Sequence, residues 1–307
     1  MNPGQAYDVI IIGGSYAGLA AALPLARARR RVLVIDAGRR RNRHAEHSYG
    51  LLGHDGSAGA TIAAKARGQL LSYATVQWLD GRVSEARREA AGFVVHAEGH
   101  ADTLRARRLL LAYGVIDDLP DVPGLRERWG RQVFHCPYCH GYELRQGAVG
   151  VLARSPLALH HALMLPDWGP TTLFLNDSFV PDAQQAAQLA ARGVRVEAGK
   201  VAAIEGEAQP TIVLSDGRRV DLAGVFTQSI IEPAGSIAQQ LGCEIESGPM
   251  GRHIQTDAMK ATSVPWVFAC GDVARPAGSV PLAVGDGTLA GTAVHASLIR
   301  EAAGLPS

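Results

Sequence analysis

The stretch that most constrains the fold is YDVIIIGGSYAGLAAALPLARARRRVLVID, residues 7–36. Its continuous apolar run and glycine-rich turn predict a buried strand that leads into a helix, and RVLVID predicts a second strand after that helix. Two buried strands joined by a helix form a βαβ unit with parallel strands. Pro24 lies inside the predicted helix, where it removes one backbone donor. The chain is therefore predicted to be an α/β protein built on a parallel sheet.

The turn in this unit is typical of a dinucleotide-binding site. Gly13-x-Ser15-x-x-Gly18 departs from G-x-G-x-x-G at Ser15, which keeps the backbone amide but adds a side chain, and Asp36 ends the second strand. In such a unit the helix N-terminus binds a pyrophosphate and the acid accepts hydrogen bonds from a ribose. The alternative is an ordinary α/β turn with a surface aspartate. The predicted dinucleotide-binding residues here are Gly13, Gly14, Ser15, Tyr16, Ala17, Gly18 and Asp36.

A weaker copy of the same pattern follows in the middle of the chain. AVGVLA, PLALHHALML and TTLFLND predict a strand, a helix and a strand. Before them, DDLPDVPGL gathers acids and prolines, which favours a domain crossing. We predict two Rossmann-like, three-layer ββα domains, the second inserted in the first. The first comprises residues 1–117 and 229–307, and the inserted one comprises residues 118–228.

Composition and charge exclude several function classes. A chain of 307 residues with 47% hydrophobic residues can bury a core in each of two domains. Lys+Arg 30 against Asp+Glu 29 leaves a formal charge of +1, so no global field attracts nucleic acid or an anionic membrane. No window reaches the roughly 18 apolar residues of a spanning helix. We predict a cytoplasmic protein with a small-molecule site, and neither nucleic acid nor membrane as a partner.

The segment FHCPYCHGYE places Cys136 and Cys139 in a C-x-x-C and follows them with His140. It could be a zinc knuckle, a structural disulfide or a redox centre. Four cysteines are too few for a disulfide-stapled secreted fold. Structural zinc usually needs a second ligand pair at a set spacing, whereas Cys243 and Cys270 stand alone and are interpreted as buried packing residues. A redox centre is favoured, and no metal is predicted.

Two distant segments give the chain a family resemblance. SVPWVFACGDVA ends a predicted strand in Gly271-Asp272, and LLLAYG ends in Gly114. With the glycine turn and the C-x-x-C, they make the chain resemble the low-molecular-weight thioredoxin reductase family over nearly its whole length. HCPYCHGYE and RNRHAEHSYGLLGHDG resemble a subset of it, the FAD-dependent dithiol oxidases that close the disulfides of gliotoxin and holomycin. The resemblance implies the thioredoxin reductase fold, a homodimer and FAD as cofactor.

The resemblance also implies roles for individual residues. Cys139 would lie beside the flavin and Cys136 would form the mixed disulfide with substrate. His140, with an ordinary pKa near 6.5, would take and return protons. Asp272 and its amide would meet the ribityl chain and phosphate of FAD. Further FAD-binding residues implied in this way are Arg43, His47, Val83, Ala112, Gly114, Gly271 and Ala283.

The expected NADPH motif is degenerate, which makes NADPH doubtful as a cofactor. It should follow the first strand of the middle domain, but residues 153–158 contain none of its three glycines. Pro156 removes an amide at the helix start, and Asp177 would repel a 2′-phosphate. We therefore predict an FAD-dependent dithiol:disulfide oxidoreductase, specifically a thiol oxidase. Electrons would pass from a small dithiol via Cys136 and Cys139 to FAD and then to oxygen or another acceptor.

Two other functions compete with this prediction. The first is a thioredoxin reductase-like enzyme that reduces a thioredoxin-like protein, using NADPH through a divergent site or another donor such as ferredoxin. The second is a flavin-binding redox sensor in which the C-x-x-C toggles without turnover.

Overall fold

The N-terminal part of the chain alternates strands and helices as far as residue 80 and continues with strands to residue 118. The computed structural model describes residues 6–305. The apolar runs predicted as strands are buried, whereas the strand Val83–Glu89 at the edge of the sheet is largely exposed. The elements are β1 (Tyr7–Ile12), α1 (Tyr16–Arg27), β2 (Val32–Asp36), a 3₁₀ turn (Arg41–His44), α2 (Gly59–Leu71), β3 (Val76–Asp80), β4 (Val83–Glu89), β5 (Gly92–Ala97), β6 (Leu104–Leu111) and β7 (Val115–Asp118).

The middle part repeats the alternation with shorter elements. They are α3 (Leu125–Arg128), β8 (Val133–Phe134), α4 (Pro137–His140), a 3₁₀ turn (Tyr142–Leu144), β9 (Val149–Leu152), α5 (Ala158–Met164), a 3₁₀ turn (Leu165–Asp167), β10 (Thr171–Phe174), α6 (Ala183–Ala191), β11 (Arg195–Glu197), β12 (Val201–Glu205), β13 (Thr211–Leu214), β14 (Arg219–Asp221) and β15 (Gly224–Thr227).

The C-terminal part ends in the longest helix among the described residues. Its elements are β16 (Ile230–Pro233), α7 (Ile237–Leu241), β17 (Ile245–Gly248), β18 (Gly251–Ile254), β19 (Val267–Ala269), a 3₁₀ turn (Gly271–Ala274) and α8 (Val280–Ala302). Ser279 caps α8 by accepting the Leu282 amide. Within residues 6–305 no helix is both long and apolar enough to cross a membrane.

Both ends of the chain contribute to the largest sheet. Its strand order is β3-β2-β1-β6-β5-β4, and β19 pairs with β6. The pairs that join β1, β2, β3, β6 and β19 are parallel, whereas β4–β5 and β5–β6 are antiparallel. Because β19 follows all the middle elements, the chain leaves this sheet after β6 and returns to it near the end.

A second, parallel sheet is formed by the middle of the chain alone. Its order is β11-β10-β9-β15-β8, and the antiparallel strands β12-β13-β14 share a hydrophobic core with it. The antiparallel pair of β7 and β16, part of a four-stranded sheet, carries the chain out to this unit and back. The middle unit is thus inserted into the unit made by the two ends. The exact division at residues 117/118 and 228/229 stays a prediction.

The helices α1 and α8 pack backbone to backbone on the largest sheet. A Cβ at Gly287 would lie 2.1 Å from the Ala17 carbonyl oxygen, and one at Gly291 would lie 2.2 Å from that of Ala21. Any side chain at these two positions would push the helices apart. The close packing fixes α8 against the helix that starts at the predicted dinucleotide turn.

Candidate redox site

The turn between β1 and α1 has no space for side chains at its glycines. Gly13 has φ +104°, and a Cβ there would lie 2.4 Å from the Ala112 carbonyl oxygen. A Cβ at Gly18 would lie 1.9 Å from the Gly13 carbonyl oxygen, and one at Gly14 would lie 2.3 Å from the Trp78 ring. Only glycine fits these positions. The turn is therefore held tightly between the end of β6 and the first turn of α1.

The start of α1 presents the groups that a dinucleotide needs. Ser15 is the N-cap in an extended conformation, and its hydroxyl makes no capping hydrogen bond. The Gly14 amide donates to Oδ1 of Asp36 (3.0 Å), which brings that carboxylate from the end of β2 to the helix start. Uncapped amides attract a pyrophosphate, and a carboxylate beside them can accept ribose hydroxyls. These residues fit the adenine-nucleotide half of FAD.

Residues from β6, β19 and α8 meet at the same helix start. Gly271 has φ +74°, and a Cβ there would lie 2.7 Å from Cβ of Ala17 and 3.9 Å from Cβ of Ala283. Ala112 and Ala283 are buried, and Gly114 has φ +71° with open space where a Cβ would be. Segments far apart in sequence are thus brought to the first turn of α1, as the predicted FAD site requires.

The remaining predicted FAD residues differ in their surroundings. Val83 is buried at the start of β4, and Tyr16 is buried with its hydroxyl donating to the Gly59 carbonyl (3.1 Å). Arg43 and His47 are exposed, and the Arg43 guanidinium donates to the Arg40 carbonyl (3.0 Å). Roles for these residues in FAD binding stay predictions.

Cys136 and Cys139 form a disulfide at the start of the short helix α4. Cys136 is the N-cap, Pro137 follows at a position where its missing amide costs no hydrogen bond, and the Cys139 amide donates to the Cys136 carbonyl (3.2 Å). Both cysteines are half-buried, whereas Tyr138 between them is 74% exposed and lies edge-on to Trp168. The disulfide is therefore placed at a surface that a small thiol can reach.

His140 lies in apolar surroundings directly after the disulfide. Its ring stacks on Phe134 with 4.4 Å between centroids. Burial lowers the pKa of His140 to about 4, so the expectation of an ordinary pKa near 6.5 is corrected. At neutral pH the imidazole is uncharged and free to accept a proton, although it would hold that proton only briefly.

Two further histidines lie near the disulfide, and the sequence alone gives neither of them a redox role. His135 stacks on Trp129 (5.8 Å), and burial, together with the charge of Arg41, lowers its pKa to about 3. Burial, with a smaller contribution from His160, lowers the pKa of His161 to about 4, and its Nδ1 is buried without a partner. His160, the residue before it, is exposed. No short-range motif marks these histidines, because their partners lie in other elements.

The residues considered as zinc ligands do not form a metal cluster in the structure. Within residues 6–305 no group of three or more His, Cys, Asp or Glu side chains is arranged to hold a metal ion. The Cys136 and Cys139 sulfurs are bonded to each other, and Cys243 and Cys270 are free and buried.

The disulfide-bearing unit packs against the unit that carries the glycine turn. A Cβ at Gly130, just before β8, would lie 2.8 Å from Cβ of His44 in the 3₁₀ turn after β2. Asp117 of β7 is close enough to His135 to influence its charge. The unit that carries the disulfide and the unit that carries the glycine turn are therefore in direct contact.

Acid is expected to destabilise the protein through the buried histidines. The folded-state pKa values of His135, His140 and His161 lie below the unfolded value near 6.5, so the unfolded chain takes up protons first. Their stabilising effect is complete above pH 6.5 and is lost as the pH falls toward 4. At pH 5.5 the loss is on the order of 1 kcal/mol per histidine.

Urea unfolding at pH 7.5 and 5.5 checks this, with His161→Gln as the test variant and the exposed His160→Gln as its control. His161→Gln should show a smaller loss of unfolding free energy on acidification than the wild type, and His160→Gln should match the wild type. Equal stability of the wild type at both pH values would contradict the expectation.

The glycine turn that opens α1 and the C-x-x-C disulfide on α4 are the two features that a flavin-dependent disulfide oxidoreductase combines. The chain belongs to the pyridine nucleotide-disulphide oxidoreductase family, whose model matches residues 7–287. Thioredoxin reductase-like members of this family bind FAD. The family, the enzyme class acting on disulfides or dithiols, and the cofactor are those predicted from the sequence.

Individual relatives are similar to this chain over nearly the full length of both proteins. The chain is 34% identical to the protein named thioredoxin reductase tcpT of Claviceps purpurea, covering 100% of this chain and 99% of that one. An oxidoreductase structure from Agrobacterium tumefaciens is 57% identical with TM-score 0.93, covering 96% of this chain and 99% of that one. The crystal structure of HlmI is 37% identical with TM-score 0.90, covering 97% and 94%. The predicted thioredoxin reductase-type two-domain fold is thereby confirmed.

Proposed function

We propose that this chain is a thiol oxidase, which takes two electrons from a small dithiol and passes them through Cys136 and Cys139 to FAD and on to oxygen. The turn after β9 is the observation that carries the proposal, because a reductase fed by NADPH would bind its donor there.

Several polar groups of the turn after β9 are hydrogen-bonded within the protein. Arg154 donates to the carbonyl (2.7 Å) and the carboxylate (2.5 Å) of Asp118. The Ser155 hydroxyl accepts the Leu157 amide (3.3 Å), and the Ser155 carbonyl accepts the Ala158 amide (3.0 Å). Pro156 has no amide to offer. With Arg154 paired, the Leu157 and Ala158 amides engaged and no amide at Pro156, the turn offers few groups to a nucleotide phosphate.

Dithiol oxidation at the cysteine pair takes two thiol–disulfide exchange steps. A substrate thiolate attacks Sγ of Cys136, which forms a mixed disulfide and releases Cys139 as a thiolate. The second substrate thiolate attacks the substrate sulfur of the mixed disulfide, so the product is a substrate disulfide and both cysteines are reduced. His140, neutral at pH 7, takes up a thiol proton and passes it to solvent. FAD, when bound, would supply a two-electron acceptor for the reduced cysteine pair, and oxygen would be reduced to hydrogen peroxide by those two electrons and two protons.

The direction of electron flow is tested with two donors. FAD-loaded protein mixed with dithiothreitol in air should consume oxygen and release one peroxide per dithiol oxidised. Without oxygen, dithiothreitol should bleach the flavin, whereas NADPH should leave it oxidised. Rapid bleaching by NADPH, or reduced flavin that air does not reoxidise, would overturn the oxidase proposal.

A disulfide reductase is the second candidate, favoured by the name thioredoxin reductase that tcpT bears. Its electrons would run from the flavin to the cysteines and then to a disulfide substrate. Rapid flavin bleaching by NADPH followed by reduction of thioredoxin would identify it. The predicted homodimer is checked in either case by sedimentation of the FAD-loaded protein.

A further inference from the structure

Arg41 is the first residue of the segment RNRHAEHSYGLLGHDG, but the sequence of that segment gives it no role at the redox site. It begins the 3₁₀ turn after β2, and its guanidinium holds two carboxylates from distant elements. Nε and Nη2 donate to Asp117 (3.0 and 2.6 Å), and Nη1 donates to Asp272 (2.9 Å). The three side chains are only 17%, 10% and 17% exposed, so water screens the contacts weakly.

The two carboxylates belong to the two parts of the redox machinery. Asp272 follows Gly271 in the turn after β19, where the FAD site is predicted. Asp117 lies on β7, which leads to the disulfide-bearing unit, and it acts electrostatically on His135, the residue before Cys136. Ser229, the residue before β16, donates its hydroxyl to Oδ1 of Asp117 (2.7 Å). The Arg41 guanidinium therefore links the predicted FAD site to the β7–β16 strand pair, through which the chain enters and leaves the inserted unit.

The shape of the side chain decides what can replace it. A guanidinium is planar and presents several N–H donors in fixed directions, so it can hold two carboxylates at once with defined geometry. A lysine ammonium carries the same charge on a flexible stem and lacks this fork. Without Arg41, two largely buried carboxylates would face each other uncompensated. The hydrogen bonds raise the pKa of Arg41 above its ordinary value against the opposing effect of burial, so the guanidinium stays charged.

We propose that Arg41 is a positioning residue for electron exchange between the disulfide and the flavin, because it fixes Asp272 at the FAD site and Asp117 beside the segment that carries Cys136. The proposal rests on the disulfide–flavin exchange contained in the proposed function, and it does not depend on whether oxygen is the final acceptor.

Two measurements on Arg41→Lys and Arg41→Gln separate positioning from folding. The first is the FAD dissociation constant of the apoprotein, and the second is the anaerobic rate at which excess dithiothreitol reduces the flavin of FAD-saturated protein. We expect both variants to reduce their flavin at least tenfold more slowly than the wild type, with FAD binding weakened several-fold. Arg41→Lys should fail to restore the rate, since it restores charge without the fork.

Variants of the two partner carboxylates separate the effect on the rate of flavin reduction from the effect on FAD affinity. Asp117→Asn should slow flavin reduction with little change in FAD affinity, whereas Asp272→Asn should mainly weaken FAD binding. Arg219→Gln is the matched control, because it removes an exposed arginine–carboxylate pair with Glu205 on the three-stranded sheet. It should leave both measurements unchanged. Asp117→Asn also keeps the proposal testable if the Arg41 variants do not fold.

The outcomes are distinct from those of the oxidase test. Wild-type flavin that dithiothreitol reduces but air does not reoxidise defeats the oxidase function and leaves the Arg41 experiment intact. A reduction rate within twofold of wild type in FAD-saturated Arg41→Gln, or full rescue by Arg41→Lys, overturns the positioning role. An unchanged rate of flavin reduction in Asp117→Asn overturns the role proposed for Asp117. Failure of dithiothreitol to reduce the wild-type flavin at all overturns both proposals.

Discussion

Replacing Cys136 or Cys139 by serine is expected to lower dithiol-driven turnover by roughly 10³-fold or more, because neither a mixed disulfide nor its resolution is possible with one sulfur missing. The double variant should be no worse than either single one, since the pair acts as a unit. FAD content should stay at the wild-type level, because the disulfide lies on α4, outside the elements that form the glycine turn. Oxygen uptake with dithiothreitol measures the turnover, and absorbance measures the bound flavin.

Cys243→Ser is the matched control for the cysteine variants. Its sulfur is buried and within hydrogen-bonding distance of the Thr262 hydroxyl (3.6 Å), so a serine hydroxyl finds the same partner. Turnover should be unchanged. Retention of more than about a tenth of wild-type turnover in Cys136→Ser would exclude the disulfide from the pathway, since a residue that makes covalent bonds in every cycle cannot be dispensable.

Loss of flavin is the expected result of Gly18→Ala. The new methyl group would lie 1.9 Å from the Gly13 carbonyl oxygen, so the turn must open and the amides of α1 can no longer converge on a phosphate. We expect the FAD dissociation constant to rise at least about 100-fold, a loss of roughly 3 kcal/mol or more. Flavin absorbance of the purified protein and titration of the apoprotein with FAD measure the effect.

Gly68→Ala serves as the control for the glycine substitution. Gly68 lies inside α2 with nothing within 4 Å of the place that a Cβ would take, so alanine should stabilise the helix by about 0.5–1 kcal/mol and leave FAD bound. A Gly18→Ala protein that is folded and carries a full complement of FAD would contradict the fit of this turn to the cofactor.

The local parts of the fold and site could be predicted because their signals are short in range. The β1–α1–β2 unit and the buried strand before Gly271 are encoded in continuous apolar runs and their flanking glycines. The segment TVQWLDGRV, residues 75–83, does not form one continuous strand, since Gly81 lies between β3 and β4 and donates its amide to the Asp36 carbonyl. Because these two residues are 45 positions apart, the local hydrophobic pattern does not indicate the contact.

The parts of the site that could not be predicted depend on distant charges and on burial. Sequence reasoning selects Arg43 and not Arg41, because nothing in the local sequence tells which of two arginines turns inward. The partners of Arg41 at 117 and 272 become its neighbours only when the sheet closes. The low pKa of His140 likewise arises from burial against Phe134. Sequence gives the residue type, whereas packing sets its proton affinity.

The placement of β19 and α8 near the end of the chain has a consequence for biosynthesis. The residues that close the predicted flavin site, Gly271, Asp272 and Ala283, leave the ribosome more than 130 positions after Cys136 and Cys139. The inserted unit has its own sheet and core and can fold in that interval. A newly made cysteine pair therefore meets the thiols and oxidants of the cell before the chain can hold a flavin. We therefore expect the first redox state of the cysteine pair to depend on those thiols and oxidants, because the residues predicted to hold FAD are made later.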